Sequence, residues 1–142
     1  MLQLLNPVIS GTLASSLAVL GLRISGGASM TLHGYPKLFG PKRAQTRGMF
    51  VQQGMSGGLF DLVAVLEFLG GIFLVFGLLT PIASGLLALE MVGTTALHYF
   101  KLRKPPVNSK FTGGYELDTL FLAIYLAIFL LGPGLFSIDY LL

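Results

Sequence analysis

Residues 59–79 read LFDLVAVLEFLGGIFLVFGLL, and this stretch decides the fold. A helix rises about 1.5 Å per residue, so the stretch spans roughly 30 Å, the thickness of the hydrocarbon core of a bilayer. It carries two charged residues, Asp61 near its start and Glu67 near its middle. A carboxylate at the membrane centre costs about 2.5–3.5 kcal/mol on insertion scales. Glu67 therefore needs a polar partner, a proton or a wet cavity.

The composition places the whole chain in the same class. Of its 142 residues, 54% are hydrophobic and 11% are charged, whereas about a quarter of the residues of a typical soluble domain are charged. We interpret residues 1–142 as a single integral membrane domain. The sequence has no cysteine, which excludes disulfides, thiolate metal sites and thiol nucleophiles within it.

Four apolar stretches predict an all-α integral membrane fold, a four-helix transmembrane up-and-down bundle. They cover about residues 12–34, 59–79, 81–100 and 115–131. Thr80-Pro81 is typical of a helix start, with Thr as N-cap and Pro in the first turn. The first stretch has a competing interpretation as a cleaved signal peptide. Because no basic segment precedes it and Arg23 interrupts it, we expect a membrane span instead.

The basic residues predict the orientation. Of nine Lys and Arg, four lie in the predicted loop 35–58, four in the predicted loop 101–114, and the ninth is Arg23. An up-and-down bundle places both loops on one side, which the positive-inside rule makes cytoplasmic, with both termini on the non-cytoplasmic side. Orientation in the lipid bilayer thereby explains the excess of basic over acidic residues, and no nucleic-acid partner is needed to explain it. Within the first loop, residues 43–53 predict a short interfacial helix.

Counting from the predicted helix ends places Arg23, Glu67 and Glu90 at about one depth near the membrane midplane. Small residues accompany each of them on its helix face, which allows neighbouring helices to approach. The three side chains are candidates for binding a quinone or another polar ligand, or for handling protons. The alternative is an ion-paired network that fixes helix order.

A second polar cluster lies nearer the predicted cytoplasmic side and contains His33, His98, Glu116 and Asp118. His98 lies two helical turns from Glu90, so a proton relay between them is geometrically allowed. His33 and His98 also have the matching depth expected of axial ligands to a b-type haem, although spacing alone is weak support. A site of two histidines and two carboxylates for a metal ion is the other option. Ordinary interfacial histidines with carboxylates at a helix N-terminus are the favoured explanation of the cluster. We therefore do not expect haem b, and we assign no metal ligand.

Motifs in chain order carry a family resemblance. Arg23 is followed by HGYPKLFG at 33–40, EFLGG at 67–71, GLLT at 77–80, EM at 90–91, His98, GGYE at 113–116 and GPGLFSID at 132–139. This series resembles that of the DoxX family of small four-helix membrane proteins. Tyr115 departs from the family's tighter Gly-Gly-Glu pattern, which weakens the correspondence of Glu116.

The resemblance implies a multi-pass protein of the prokaryotic plasma membrane, associated with quinone-linked redox chemistry. Relatives include the DoxD-type subunit of thiosulfate:quinone oxidoreductase and membrane partners of soluble oxidative-stress enzymes. It does not establish that this chain is an enzyme. We expect no cofactor intrinsic to the chain, with a quinone as the candidate ligand.

Three functions are compatible with these features. The first is a quinone-linked redox subunit, which needs a partner protein because the sequence offers no electron source of its own. The second is a non-catalytic membrane anchor or assembly factor whose basic loops dock an acidic soluble protein. The third is a small transporter or proton pathway, which would require a homo-oligomer because a single bundle has few helices around a conduit.

Overall fold

The computed structural model describes residues 7–103 and 115–142. Regular structure within these two ranges is entirely helical, and no strand occurs in them. The α-helices are α1 Pro7–Phe39, α2 Arg43–Gln52, α3 Gly57–Phe76, α4 Thr80–Ala96, α5 Tyr115–Leu131 and α6 Ile138–Leu141. A π-helical turn, Leu97–Lys101, continues α4. The predicted loop 101–114 lies mostly outside the described residues.

The four long helices pack in a closed order. Helix α1 lies along α3, α3 contacts α4, α4 lies along α5, and α5 returns to α1. The buried core between them is largely apolar and includes Leu74, Leu87, Tyr125 and Ile128, all of which are fully buried. A core of this kind fixes the helices relative to one another, so the polar side chains described below have defined neighbours.

Within residues 7–103 and 115–142, three helices are long and apolar enough to cross a membrane: Thr12–Phe39, Gly57–Phe76 and Thr80–Lys101. Their outward faces carry large exposed apolar side chains such as Leu32 and Leu89, which lipid would cover. Helix α5 has 17 residues and at 1.5 Å per residue measures about 25 Å. The prediction of an all-helical membrane protein is therefore confirmed.

Helix α1 extends five residues beyond the end that the sequence predicts. Gly34 and Pro36 suggest a stop at about residue 34, but the helix continues to Phe39. Proline removes one backbone hydrogen bond from a helix, and near the last turn this loss is small. The extension matters because it places Lys37 on a helix, in register with Met30 and His33, rather than in a loop.

Glycines allow α1 and α3 to approach closely. A Cβ atom on Gly71 would lie 2.5 Å from the carbonyl oxygen of Gly27, and one on Gly34 would lie 2.5 Å from the backbone nitrogen of Phe68. Backbone contact of this kind is what small residues provide in membrane helix pairs. It brings the α1 side chains that follow Gly34 directly onto the face of α3.

Helix α2 corresponds to the short helix predicted over residues 43–53. It is tied to the start of α3 by Asp61, whose carboxylate accepts hydrogen bonds from Arg43 at 2.7 Å and Arg47 at 3.2 Å. The ring of Phe50 packs against Phe60 of α3, with 5.5 Å between ring centroids. Helix α2 thus lies against the end of the bundle where α3 begins.

The turn between α3 and α4 differs from the prediction that Thr80 caps α4. The N-cap is Leu79, which has a left-handed φ of 49° and no capping side chain of its own. The carboxylate of Asp139 instead accepts the backbone N–H groups of Leu79 and Thr80, both at 2.7 Å. The cap therefore comes from a residue 60 positions away in sequence.

Candidate functional site

A cavity of about 600 Å³ lies at the end of the bundle that α2 covers. Its wall combines apolar side chains, including Met30, Phe50 and Met91, with a set of polar ones. The polar and charged lining comprises His33, Lys37, Glu67, Glu90, His98 and Asp118. A largely apolar pocket with a few convergent polar groups is the usual form of a small-molecule site.

Glu67 forms an ion pair with Lys37. The Nζ atom of Lys37 donates to Oε1 of Glu67 at 2.5 Å, and the side chain of Glu67 is only 6% exposed. Lys37 reaches Glu67 because α1 continues past Pro36 and because Gly34 allows α1 to touch α3. The partner that Glu67 requires in the membrane is therefore the lysine at the end of α1.

Glu90 of α4 lies next to Glu67 in the cavity wall. The two carboxyl groups are close enough to share a hydrogen bond when one of them carries a proton. The Oε2 atoms of both residues are buried and have no hydrogen-bond partner among the residues that the structure describes. We call Glu67 and Glu90 the carboxyl pair. Lys37, which is bonded to Glu67, is its lysine.

His98 and Asp118 form a second polar contact on the cavity wall. Nδ1 of His98 lies 2.6 Å from Oδ2 of Asp118, and both side chains are mostly buried. His98 belongs to the π-helical turn that follows α4, and single π-helical turns occur frequently at functional sites. A side-chain oxygen of Asp118 accepts a hydrogen bond from Nδ1–H of His98, which orients the imidazole ring.

His33 lines the same cavity from α1. Its Nδ1 donates to the backbone carbonyl of Ser29 at 2.7 Å, and its ring makes an edge contact with Phe121. Within residues 7–103 and 115–142, no three His, Asp or Glu side chains come together as a metal site. Axial haem ligation by His33 and His98, the alternative that the sequence leaves open but does not favour, stays untested.

Arg23 lies apart from the two glutamates, in contrast to the cluster that the sequence predicts. Its guanidinium donates to the carbonyls of Leu74 at 3.0 Å and Val75 at 3.4 Å in the last turn of α3. It also donates to Pro133 at 2.5 Å and Phe136 at 2.8 Å. Leu74 follows Glu67 by seven residues, about 10 Å along the helix. Arg23 therefore does not line the cavity.

The surroundings of Arg23 have a structural explanation. Carbonyl groups at a helix C-terminus are unpaired and carry partial negative charge, so a cation is favourable there. Arg23 is 1% exposed, and its hydrogen bonds join the end of α3 to the segment after α5. Asp139, in α6, adds an electrostatic attraction.

Glu116 also lies outside the cavity lining. It occupies the first turn of α5, close in sequence to residues 104–114, which are not among the described residues. Of the seven residues in the two polar clusters that the sequence predicts, five line the cavity: His33, Glu67, Glu90, His98 and Asp118.

Lys37 lines the cavity from α1, whereas the sequence predicts it in a loop. Its spacing from Met30 and His33, seven and four residues, is the spacing of one helix face. That pattern could have shown that the helix continues through Pro36.

Comparison with known proteins identifies the family. The DoxX family model matches residues 18–99, which is more than half of the chain. The chain belongs to the DoxX family. The matched region of this DoxX protein includes Lys37, Glu67, Glu90 and His98, whereas Asp118 lies beyond it.

A curated relative extends the match. The Bacillus subtilis (strain 168) protein named "Putative oxidoreductase CatD" is 30% identical over 118 residues, which is 83% of this chain and 81% of the relative. No solved structure matches the DoxX protein described here.

Proposed function

We propose that this DoxX protein is a membrane subunit of a quinone-linked oxidoreductase, and that its cavity holds the quinone head group. The observation that carries the proposal is the burial of the carboxyl pair with its lysine in a cavity of about 600 Å³ between apolar walls. Ionisable groups are expensive in a membrane and are retained mainly for function. The name of the Bacillus subtilis relative agrees with redox chemistry.

The chemistry divides between this chain and a partner. Reduction of a quinone to a quinol consumes two electrons and two protons. A partner redox protein supplies the electrons, and the polar groups of the cavity handle protons at the quinone oxygens. Glu90 and the contact of His98 with Asp118 are the groups placed to do so, since carboxyl and imidazole groups are the usual proton-transfer side chains.

The proposed orientation puts the cavity near the cytoplasmic side of a prokaryotic plasma membrane. In this arrangement α1, α3, α4 and α5 all span the bilayer, and both termini lie on the opposite side. The basic residues Arg43 and Arg47 of α2, together with Lys42 just before it, support this orientation through the positive-inside rule. The same end of the bundle is then where a cytoplasmic partner would dock.

Quinone that remains bound during purification tests the proposal. We expect the protein purified in detergent to carry near one equivalent of quinone plus quinol, measured by mass spectrometry of an organic extract. Glu67→Gln should lower this amount at least tenfold, because it removes the negative charge that holds Lys37 in the cavity. Glu116→Gln is the matched control, since Glu116 does not line the cavity.

A quinone content no higher than that of an unrelated membrane protein purified in the same way would contradict the proposal. The function would then be that of a non-catalytic anchor or assembly factor, with the buried ion pair serving helix packing. Size-exclusion chromatography of each variant separates loss of binding from loss of folding.

A further inference from the structure

The carboxyl pair contains two buried oxygen atoms that no protein donor satisfies. The Oε2 atoms of Glu67 and Glu90 both lack a partner within residues 7–103 and 115–142. The side chain of Glu67 is only 6% exposed, so bulk water does not solvate its carboxyl group. A buried acceptor without a donor costs about 1–3 kcal/mol, and native proteins keep few such groups. The two oxygens therefore require a donor that is not a protein side chain or backbone group.

The two carboxyl groups lie within hydrogen-bonding range of each other. An ionised carboxylate only accepts hydrogen bonds, whereas a protonated carboxyl group has one O–H donor. Two ionised groups at this position would place like charges together without a bond between them. Carboxyl groups that share a site in this way usually keep one proton. A single proton converts the contact of Glu67 with Glu90 into a hydrogen bond.

The titratable groups around the pair supply little positive charge to replace that proton. They come from three elements: Lys37 and His33 from α1, His98 from the π-helical turn, and Asp118 and Tyr125 from α5. His98 and Asp118 contact each other at 2.6 Å. The hydroxyl group of Tyr125 donates to the carbonyl of Gly26 at 3.1 Å. Among the described residues, the cation bonded to the pair is Lys37.

Charge balance leads to the same number of protons. Two ionised carboxylates with one lysine carry one negative charge in excess, and one proton removes it. Asp118 adds negative charge nearby, which opposes a second ionised carboxylate still further. An uncompensated charge is expensive inside a membrane protein. The neutral arrangement is therefore the one that the geometry and the charges favour.

We propose that the carboxyl pair is a proton-binding site, which holds one proton between Glu67 and Glu90 at neutral pH and leaves the pair and its lysine together uncharged. The proton belongs to the protein without ligand, so this inference does not require a quinone. The use of the proton in quinone reduction rests on the proposed function. The site would then provide one of the two protons that a quinol needs, next to the cavity that holds the head group.

Infrared spectroscopy of the ligand-free protein at neutral pH tests the inference. The carbonyl band of a protonated carboxyl group lies above the amide I band and shifts to lower frequency in D₂O. A detergent without ester groups keeps this region clear, and esters of residual lipid do not shift in D₂O. We expect a D₂O-sensitive band in the wild-type protein and its loss in Glu90→Gln, whose amide is neutral and donates to Glu67 in place of the proton. Glu116→Gln, the control, should keep the band.

The wild-type spectrum alone can overturn the inference, even if a variant fails to fold. Absence of a D₂O-sensitive carboxyl band at neutral pH would show that both glutamates are ionised. A band that persists in folded Glu90→Gln, or disappears in Glu116→Gln, would place the proton on another residue and also overturn the inference. The band tests the proton alone, whereas the quinone content measured above tests the proposed function, so the two can fail separately.

Discussion

Arg23 is a buried cation whose hydrogen bonds all go to backbone carbonyls. Arg23→Lys keeps the charge but loses the planar fork that reaches Leu74, Pro133 and Phe136 together. We expect the free energy of unfolding to fall by about 2–4 kcal/mol, because buried carbonyls lose their donors. Thermal unfolding in detergent measures the change.

The matched control for this substitution is Arg43→Lys. Arg43 pairs with Asp61, but its side chain is 42% exposed, and exposed ion pairs contribute at most about 1 kcal/mol. Equal losses in the free energy of unfolding of the two variants would show that the buried bonds of Arg23 to carbonyl groups contribute no more than an exposed ion pair.

The need of Glu67 for a partner could be predicted from sequence, but the identity of that partner could not. The predicted depths were counted from a helix end at residue 34, and the observed end at Phe39 shifts the count by five residues, about 7.5 Å. This shift moves Arg23 away from the level of Glu67, and it places Lys37 on the last turn of α1, from which its side chain reaches Glu67. Glu90 and His98 keep the predicted separation of about two helical turns because α4 continues directly into the π-helical turn that carries His98.

Among the helices, the contact of α1 with α3 depends on Gly34. A methyl group there would lie 2.5 Å from the backbone nitrogen of Phe68 and 2.9 Å from the carbonyl oxygen of Ala64. Gly34→Ala must therefore separate the two helices, and we expect a loss of about 1–3 kcal/mol in the free energy of unfolding. The ion pair of Lys37 with Glu67 would be stretched at the same time.

Gly21→Ala gives the control for this prediction on the same helix. Nothing lies within 4 Å of a Cβ atom at Gly21. Alanine there should raise stability by about 0.5–1 kcal/mol, because it restricts the unfolded chain and favours the helix. Thermal unfolding of the two variants in one detergent compares them; similar shifts in both would refute the close contact at Gly34.

The cap on α4 predicts a pH dependence of stability. Partial burial opposes ionisation of Asp139, but the hydrogen bonds from the side chain and backbone of Thr80, the backbone N–H of Leu79 and the charge of Arg23 outweigh it. They hold the pKa of Asp139 below its ordinary value of 3.8. Its stabilising contribution is therefore complete above about pH 4 and is lost as the pH falls through the lower pKa of the folded state.

Asp139→Asn isolates this contribution. The amide has one oxygen acceptor where the carboxylate has two, so one N–H group at the start of α4 loses its partner. We expect a lower Tm above pH 4 and a smaller decline in Tm below it than in the wild-type protein. If the Tm of both proteins changed with pH in the same way, the stabilisation of α4 by ionised Asp139 would be contradicted.

The distribution of charge over the whole molecule predicts its orientation in the bilayer. The sequence has no cysteine, so single introduced cysteines report their location without background. Lys42→Cys should react with a membrane-impermeant maleimide only after cells are lysed. Leu142→Cys should react in intact spheroplasts. The reverse pattern would contradict the positive-inside assignment.

Hydropathy predicts the long helices of this molecule because a bilayer imposes their length and apolar surface. Hydropathy does not predict which segments, distant in sequence, form hydrogen bonds with each other. The bond of Asp139 to the start of α4 and the bonds of Arg23 to Pro133 and Phe136 connect residues 59 to 113 positions apart. Contacts of this range leave no periodic pattern in a single sequence.

The position of the Arg23 partners also has a consequence for biosynthesis. The helix that carries Arg23 leaves the ribosome before two of the carbonyl partners of Arg23, on Pro133 and Phe136, which are made more than a hundred residues later. During this interval a cation that is buried in the finished protein lacks part of its hydrogen bonding within the membrane, where such a group is costly. The nascent protein should therefore depend on the insertion machinery or on water at the membrane surface until residues 133–139 arrive.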